Sequence, residues 1–228
     1  YTVCEYLEKT NDKSILSKNI AYCDGPLLQE HQHENYINVQ SSGIYESVYN
    51  HCKRAIGHAI SLIGEHGLLL MGGGDWNDGY NGVGINGKGE SVWLTQFTII
   101  LLERFSNICS MIGEQSDCQS YKDLANEFKE AIENSCWDGE WYLRAFFDDG
   151  KTLGSHLNEE CKIDSLTQSF AVLSDLPNKS RNSIALQNAY NRLVDEKNGI
   201  IKLFEPQFSG KDTTVGYVSS YPKGIREN

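Results

Sequence analysis

The chain has 228 residues, of which 39% are hydrophobic and 22% are charged, and only four are proline. This is the composition of a globular protein, with enough residues for one large domain or two small ones. A net charge of −11 disfavours general nucleic-acid binding, because a partner of the phosphate backbone needs a basic surface. No stretch reaches the roughly 18 consecutive apolar residues of a membrane span, and the first residues do not form a signal peptide.

Six segments have the apolar spacing of helices. The first residues resemble the interior of a helix, and further helices are predicted over about 43–63, 90–112, 120–136, 164–174 and 181–195. Ser120 and Asp123 are the predicted start of the third of these. Residues 170–173 are almost entirely apolar, which predicts that this part of its helix is buried.

Residues 139–147 are predicted to form a strand between turn signals, and the glycine-rich stretches 72–89 and 209–216 are predicted to be loops. Helix pairs separated by long loops favour an α/α architecture in which the loops carry function. No low-complexity linker divides the chain, and we expect it to be a fragment of a longer protein.

Seven cysteines are spread along the chain without a CxxC pair. A disulfide framework or a zinc ribbon would cluster them, so the expectation is isolated buried thiols in a reducing, cytoplasmic compartment.

The most informative stretch is residues 71–81, in which three glycines precede Asp75, Trp76, Asn77 and Asp78. An indole face suits the apolar face of a sugar, and carboxylate and amide groups suit its hydroxyls. A carboxyl group packed near an indole in a dry pocket would have a raised pKa, as a general acid requires. A structural turn with capping carboxylates is the alternative.

Other binding motifs fit less well. A calcium loop starting at Asp75 would need glycine where Tyr80 stands. Residues 82–89 come close to a P-loop and a dinucleotide fingerprint, but Gly89 replaces the P-loop Ser or Thr, and no strand directly precedes Gly82. The Glu and His residues at 30–34 could be drawn as metal ligands, yet a solvated segment is favoured there, and no metal or cofactor is predicted.

Two further groups could contribute to a pocket. Asp164 and Gln168 share one face of the predicted helix, so they either bond neighbouring loops or point into a cavity. The C-terminal residues Tyr221, Arg226 and Glu227 are of the types that line hydroxyl-binding pockets, although a surface loop is an equal alternative.

Five motifs resemble glycoside hydrolase family 94 and occur in the same order as in that family. They lie at residues 72–79, 87–94, 137–142, 158–165 and 221–228. This family includes cellobiose and chitobiose phosphorylases and the C-terminal domain of cyclic β-1,2-glucan synthase. The sequence of residues 72–79 looks most like that of the family members that act on β-1,2-glucans. The resemblance implies part of an (α/α)6 barrel catalytic domain across residues 1–228, without the family's N-terminal β-sandwich and the flanking barrel helices.

The activity implied is inverting phosphorolysis of a β-glucoside to an α-sugar 1-phosphate, with inorganic phosphate as co-substrate. By motif position Asp78 matches the general acid, Trp76 and Glu227 match contacts to the transferred sugar, and Tyr221 and Arg226 fall where the acceptor sugar binds. Asp75 is expected to hold the loop in place, with Asp164 and Gln168 as weaker cavity candidates.

Other properties follow from the same resemblance. Partners would be an oligosaccharide or disaccharide and phosphate, with a possible homodimer of the full-length protein. The location would be the cytoplasm, or the cytoplasmic face of the inner membrane in a glucan synthase. The family's phosphate-binding His and Thr match no residue here, so the 228 residues alone are expected to be inactive. An inverting hydrolase and a chain-length-controlling glucan synthase module remain alternatives.

Overall fold

A computed structural model describes residues 1–29, 32, 35–211 and 213–228. These residues fall into two compact units, Tyr1–Leu62 and Ile63–Asn228. In them we find six α-helices and nine short strands, so the chain is helix-rich. The expected all-α class has to be widened, because the strands pair in four small antiparallel sheets. In the described ranges, no helix is both long enough and apolar enough to cross a membrane.

The first unit contains α1 (Thr2–Thr10), β1 (Asn19–Asp24), β2 (Gln40–Ser47) and α2 (Val48–Ile60). The helix predicted from residue 43 therefore begins five residues later than expected. Residues 43–47 belong instead to β2, which pairs with β1 in a register that places Asn19 opposite Ser47. The Ser47 side chain then accepts the N–H of Asn50 and starts α2.

The second unit contains the long helices α3 (Val92–Ile112) and α4 (Gln115–Ser135), followed by α5 (Ser165–Leu173) and α6 (Lys179–Leu193). Helix α3 packs along α4 and also contacts α5, which in turn contacts α6. The existence and approximate bounds of α3, α5 and α6 agree with the predicted periodicity.

The start of α4 was predicted wrongly. Gly113 ends α3 in a left-handed conformation, at φ 89°, and the next helix begins at Gln115 after only one more residue. Ser120 is therefore inside α4, where its hydroxyl donates to the carbonyl of Ser116. A serine bonded back to the preceding turn has the same sequence signature as a cap.

The prediction that residues 170–173 are buried is wrong for the last two residues of α5. Ala171 is buried, but Val172 and Leu173 are 44% and 63% exposed. An apolar run on a helix covers more than one face, so only part of the run can pack against the neighbours that this unit supplies. Helix α6 ends two residues earlier than predicted, because β7 (Val194–Asp195) pairs with β8 (Ile200–Ile201).

The predicted strand at 139–147 is mostly irregular. Only β4 (Ala145–Phe146) is a strand, in a sheet with β3 (Glu90–Ser91) and β5 (Thr152–Leu153). A further pair joins β6 (Ile163–Asp164) to β9 (Phe204–Glu205). These short ladders bring residues from four distant parts of the sequence together beneath the glycine-rich loop.

The core beneath that loop is formed by apolar side chains from these ladders and from the loops themselves. Its buried members are Met71, Tyr80, Val83, Ala145, Leu153, Cys161, Phe204, Phe208, Val215 and Val218. All seven cysteines are free thiols. Five are buried as expected, but Cys23 is exposed and Cys52 is half-buried, which corrects the expectation for those two.

Candidate active site

The acidic loop, residues 72–81, leaves the core at buried Met71 and returns to it at buried Tyr80. The N–H of Met71 donates to the carbonyl of Gly89 at 2.7 Å, which closes the loop at its base. Gly74 has a φ of 126°, and a Cβ atom there would lie 2.9 Å from the Cα atom of Asp78. Glycine is therefore required where the loop folds back on itself.

Side chains of the acidic loop alternate between the interior and the solvent. Asp75 has a fully buried side chain, whereas Trp76 is 45% exposed. Asn77 is buried and its side chain accepts the N–H of Gly79 at 3.0 Å, which starts a short 3₁₀ helix. Asp78, the first residue of that helix, is exposed. Of the two carboxylates, only that of Asp78 is available to a ligand.

Arg144 holds Asp75 in the interior. Its Nη2 atom lies 2.7 Å from the Asp75 carboxylate, and neither side chain has any exposed surface. Asp75 also accepts the hydroxyl of Ser91 at 2.6 Å and the N–H of Asn77 at 3.0 Å. Because every oxygen of Asp75 has a partner, it holds the loop and does not face a substrate.

Arg144 has a second carboxylate partner, Asp164, whose Oδ2 atom is 3.4 Å from its Nε atom. Burial alone would lower the pKa of Arg144, but Asp75 and Asp164 raise it above its ordinary value. Burial raises the pKa of Asp164 to about 6, against the opposing charge of Arg144. The Tyr80 ring lies 5.0 Å from the guanidinium carbon and completes the surroundings of this buried ion group.

Asp164 and Gln168 lie in the interior, away from the exposed face of the acidic loop. Asp164 is 1% exposed and caps α5 by accepting the N–H of Leu166 at 2.8 Å. The Gln168 amide accepts the N–H of Tyr142 and donates to its carbonyl, each at 2.9 Å. Of the two roles considered for these residues, the structure shows the bonding of neighbouring segments.

The segment 215–221 lies against the acidic loop. The N–H of Gly82 donates to the carbonyl of Val215 at 3.2 Å, and the N–H of Tyr217 donates to the Asn81 side chain at 3.0 Å. Partial desolvation raises the pKa of Tyr217 to about 12, together with a hydrogen bond to the Asp78 carboxylate and the charge of that group. Tyr217 therefore lies beside the exposed acid.

Three predicted C-terminal residues extend this group. The rings of Tyr217 and Tyr221 meet edge to face at 5.9 Å, and the Arg226 guanidinium lies 4.9 Å from the Tyr221 ring centre. The Nε atom of Arg226 is 3.7 Å from Oε2 of Glu227. That oxygen is buried and has no hydrogen-bond partner in the part of the chain that is described. Asp78, Tyr217, Tyr221, Arg226 and Glu227 are called the acid cluster below.

The dry pocket expected around Asp78 is not found among the described residues. Asp78 and Trp76 are both exposed, so within the described residues the acid faces an open surface. A cleft of 850 Å³ is present nearby, but its lining begins at Gly82 and Val83, beyond the end of the acidic loop.

The segment at 82–89 does not present its backbone to a ligand. The N–H groups of Asn86, Lys88 and Gly89 donate to the Asp148 carboxylate at 2.8–2.9 Å. These are the donors that a P-loop would offer to phosphate, and a carboxylate of the same chain occupies them. In the suggested metal segment, Glu30, His31, His33 and Glu34 are outside the described residues.

Sequence reasoning did not single out Arg144 or Tyr217. A signal for Arg144 existed, because it is the one charged residue between Trp141 and Phe147, and a charge inside an apolar run is buried only with a partner. No local signal singles out Tyr217, which lies among several similar polar and aromatic residues.

The catalytic domain of the glycosyl hydrolase 94 superfamily matches residues 1–228. The cyclic β-(1,2)-glucan synthase NdvB of Rhizobium meliloti (strain 1021) is 36% identical over the whole chain, which spans 8% of that protein. Solabiose phosphorylase of Paenibacillus borealis is 32% identical over the whole chain, which spans 27% of it. N,N'-diacetylchitobiose phosphorylase of Vibrio proteolyticus is 27% identical, and the chain spans 26% of it.

Proposed function

The chain belongs to the glycosyl hydrolase 94 superfamily, and from this premise we propose that it is part of the catalytic domain of an inverting β-glucoside phosphorylase. Its substrate is a β-1,2-glucan or a related β-linked disaccharide, and its product is an α-sugar 1-phosphate. Relatives named as phosphorylases of solabiose and of N,N'-diacetylchitobiose support the reaction class. The similarity to a cyclic β-(1,2)-glucan synthase supports the linkage.

The observation that carries the proposal is the contrast between the two carboxylates of the acidic loop. Asp75 is buried with all its partners inside the protein, whereas Asp78 is exposed at the start of a short helix. Asp78 would protonate the glycosidic oxygen as the bond breaks. An inverting hydrolase needs a second carboxylate to activate water, but phosphate is already an anionic nucleophile, so one acid is sufficient.

Two further groups suit a sugar. Trp76 offers its exposed indole face for stacking, and the partly buried carboxylate of Glu227, beside Arg226, can accept a sugar hydroxyl. We propose these two as contacts to the transferred sugar, with Tyr221 and Arg226 on the acceptor side. Asp75, Asp164 and Gln168 support the site from the interior.

The chain spans about a quarter of the phosphorylases it matches, so the activity proposed is that of the complete protein. We propose that its other parts complete an (α/α)6 barrel, cover Asp78 and supply cationic groups for phosphate. The 228 residues alone would then not catalyse phosphorolysis. A cytoplasmic location and a homodimer are part of the same proposal, as is the absence of any cofactor.

A second candidate function is glucan processing within a cyclic β-1,2-glucan synthase, which the 36% identity to NdvB favours. In such a protein the same site would cut or shorten the growing glucan. The two candidates differ in what accompanies the site, and a synthase domain in the complete polypeptide would favour the second.

The test is a screen of the complete protein against β-linked gluco-oligosaccharides, with and without inorganic phosphate, with sugar 1-phosphate measured by ³¹P NMR. Phosphate-dependent release of an α-sugar 1-phosphate, abolished by Asp78→Asn, is expected. Asp149→Asn is the control, because Asp149 is an exposed carboxylate paired with Lys151 outside the acid cluster. Glucose release without phosphate would indicate a hydrolase instead, and an active Asp78→Asn variant would reject Asp78 as the acid.

A further inference from the structure

Asn228 closes the segment 221–228, which carries Tyr221, Arg226 and Glu227. Its side-chain N–H donates to the carbonyl of Tyr221 at 2.6 Å, so the first and last residues of the segment meet. Arg226 has a left-handed backbone conformation, with φ at 54°. This conformation is uncommon for a residue other than glycine and needs support from the surrounding structure. The segment is therefore a closed loop, and the Asn228 amide supplies the bond that closes it.

The same amide attaches this loop to the core. Oδ1 of Asn228 accepts the N–H of Phe208 at 2.8 Å, and its Nδ2 donates to the carbonyl of Phe208 at 3.0 Å. Asn228 is 7% exposed and Phe208 is 4% exposed, so these bonds are shielded from water. Two N–H donors and one oxygen acceptor are in use, a combination that a carboxylate or a hydroxyl does not offer.

Phe208 links this loop to the acidic loop. Its ring meets the Tyr80 ring edge to face, with 6.4 Å between the ring centres, and both residues belong to one buried core. Tyr80 is the residue at which the acidic loop returns to that core. The segment with Asp78 and the segment with Arg226 and Glu227 therefore rest on the same pair of buried rings. Their relative placement depends on how the second segment is attached to Phe208.

We infer that Asn228 is a positioning residue, which holds Arg226 and Glu227 in place for the sugar without contacting the sugar itself. The inference rests on the proposed function, in which these two neighbours bind the substrate that Asp78 cleaves. Asn228 transfers no proton, because its amide is engaged by backbone groups of Phe208 and Tyr221. It orders the loop before the substrate arrives, so the cost of ordering is not subtracted from the free energy of binding.

The experiment compares Asn228→Asp with Asn182→Asp in the complete protein, by measuring kcat and KM for a β-1,2-linked gluco-oligosaccharide at saturating phosphate. Asn182 is a matched control, because it is also buried and its amide also donates to a backbone carbonyl, that of Leu176 at 3.0 Å, but on α6. Both replacements keep the side-chain size and remove N–H donors, so both should lower the melting temperature. For Asn228→Asp we expect KM to rise about tenfold and kcat to change less than about threefold, because groups that bind the sugar are misplaced. Asn182→Asp should keep KM within about twofold.

KM separates positioning from stability, because a variant that is only less stable has fewer folded molecules, which lowers kcat and leaves KM unchanged. A fall in kcat alone would overturn the inference, as would an equal rise in KM for Asn182→Asp. The double variant Glu227→Gln/Asn228→Asp should lose less than the product of the two single losses, since Asn228 acts through its neighbours, and a multiplicative loss would overturn that route. If Asn228→Asp does not fold, Asn228→Ser is measured in the same way and the same outcomes decide.

A binding measurement distinguishes failure of the inference from failure of the proposed function. In the Asp78→Asn background, the Kd for the same oligosaccharide is measured by isothermal titration calorimetry, with and without Asn228→Asp. A Kd about tenfold higher with Asn228→Asp supports the inference, and an unchanged Kd overturns it. Phosphorolysis by Asp78→Asn itself rejects the proposed function, and absence of binding by either protein overturns both.

Discussion

Arg144 and Asp75 form a fully buried ion pair, with Nη2 of the arginine 2.7 Å from the carboxylate. They are 69 residues apart in the chain, and their pairing joins the acidic loop to the segment that precedes β4. This pair turns Asp75 inward, so the next carboxylate of the loop, Asp78, is the one that faces outward.

Removing the charge of Asp75 should therefore lower the stability of the folded protein. Asp75→Asn leaves the Arg144 guanidinium buried with only the more distant Asp164 as counter-charge, and we expect a loss of about 3 kcal/mol in the free energy of unfolding. Urea denaturation monitored by tryptophan fluorescence measures it. The control Asp149→Asn removes an exposed pair and should change stability by less than about 0.5 kcal/mol, so equal losses in the two variants would contradict a structural role for Asp75.

Glycine should be required at position 82 because there is no space for a side chain, and not because of its backbone conformation. A Cβ atom at Gly82 would lie 2.1 Å from the carbonyl oxygen of Thr214, whereas one at Gly73 would have no atom within 4 Å. We expect Gly82→Ala to cost about 2–3 kcal/mol and Gly73→Ala to be nearly neutral. Melting temperatures of the two variants provide the comparison, and an equally stable pair would show that the 214–216 segment can move away.

Asp148 should make stability depend on pH. Burial would raise the pKa of Asp148, but hydrogen bonds from the backbone of Asn86, Lys88 and Gly89 outweigh it and hold the pKa below its ordinary value. A lowered pKa means that the stabilisation is fully present above the ordinary carboxyl range and is lost as pH falls through the lowered value. Asp148→Asn should be less stable than the unchanged protein by about 1 kcal/mol at pH 7, and this difference should vanish near the acid end of the range. A difference that is constant with pH would contradict this origin.

Trp76 should matter for the substrate and not for the fold. Because its indole is 45% exposed, Trp76→Ala should change the free energy of unfolding by less than about 0.5 kcal/mol. Loss of the stacking face should lower kcat/KM of the complete protein about 10- to 100-fold, while Trp76→Phe keeps part of the activity. Steady-state kinetics on the oligosaccharide found in the screen measures this, and a large loss of stability with unchanged kinetics would assign Trp76 to packing instead.

Local sequence patterns predicted the helices well, because a helix of four or five turns is determined mainly by the spacing of its own apolar residues. The limits of that information are visible at α2 and α4. Residues 43–47 have helical spacing but belong to β2, which pairs with β1, and Ser120 has the form of a cap but its hydroxyl donates back to Ser116. In both cases the decision came from hydrogen bonds that the periodicity does not describe.

The sequence by itself singled out residues 72–79 as the candidate functional loop, since the residue types suited to a sugar occur there together. Only the tertiary structure decided which carboxylate of that loop is exposed. The decision depends on Arg144, which neutralises Asp75 in the interior. This partner comes from a segment far along the chain, and a buried charge is stable only where such a distant partner meets it.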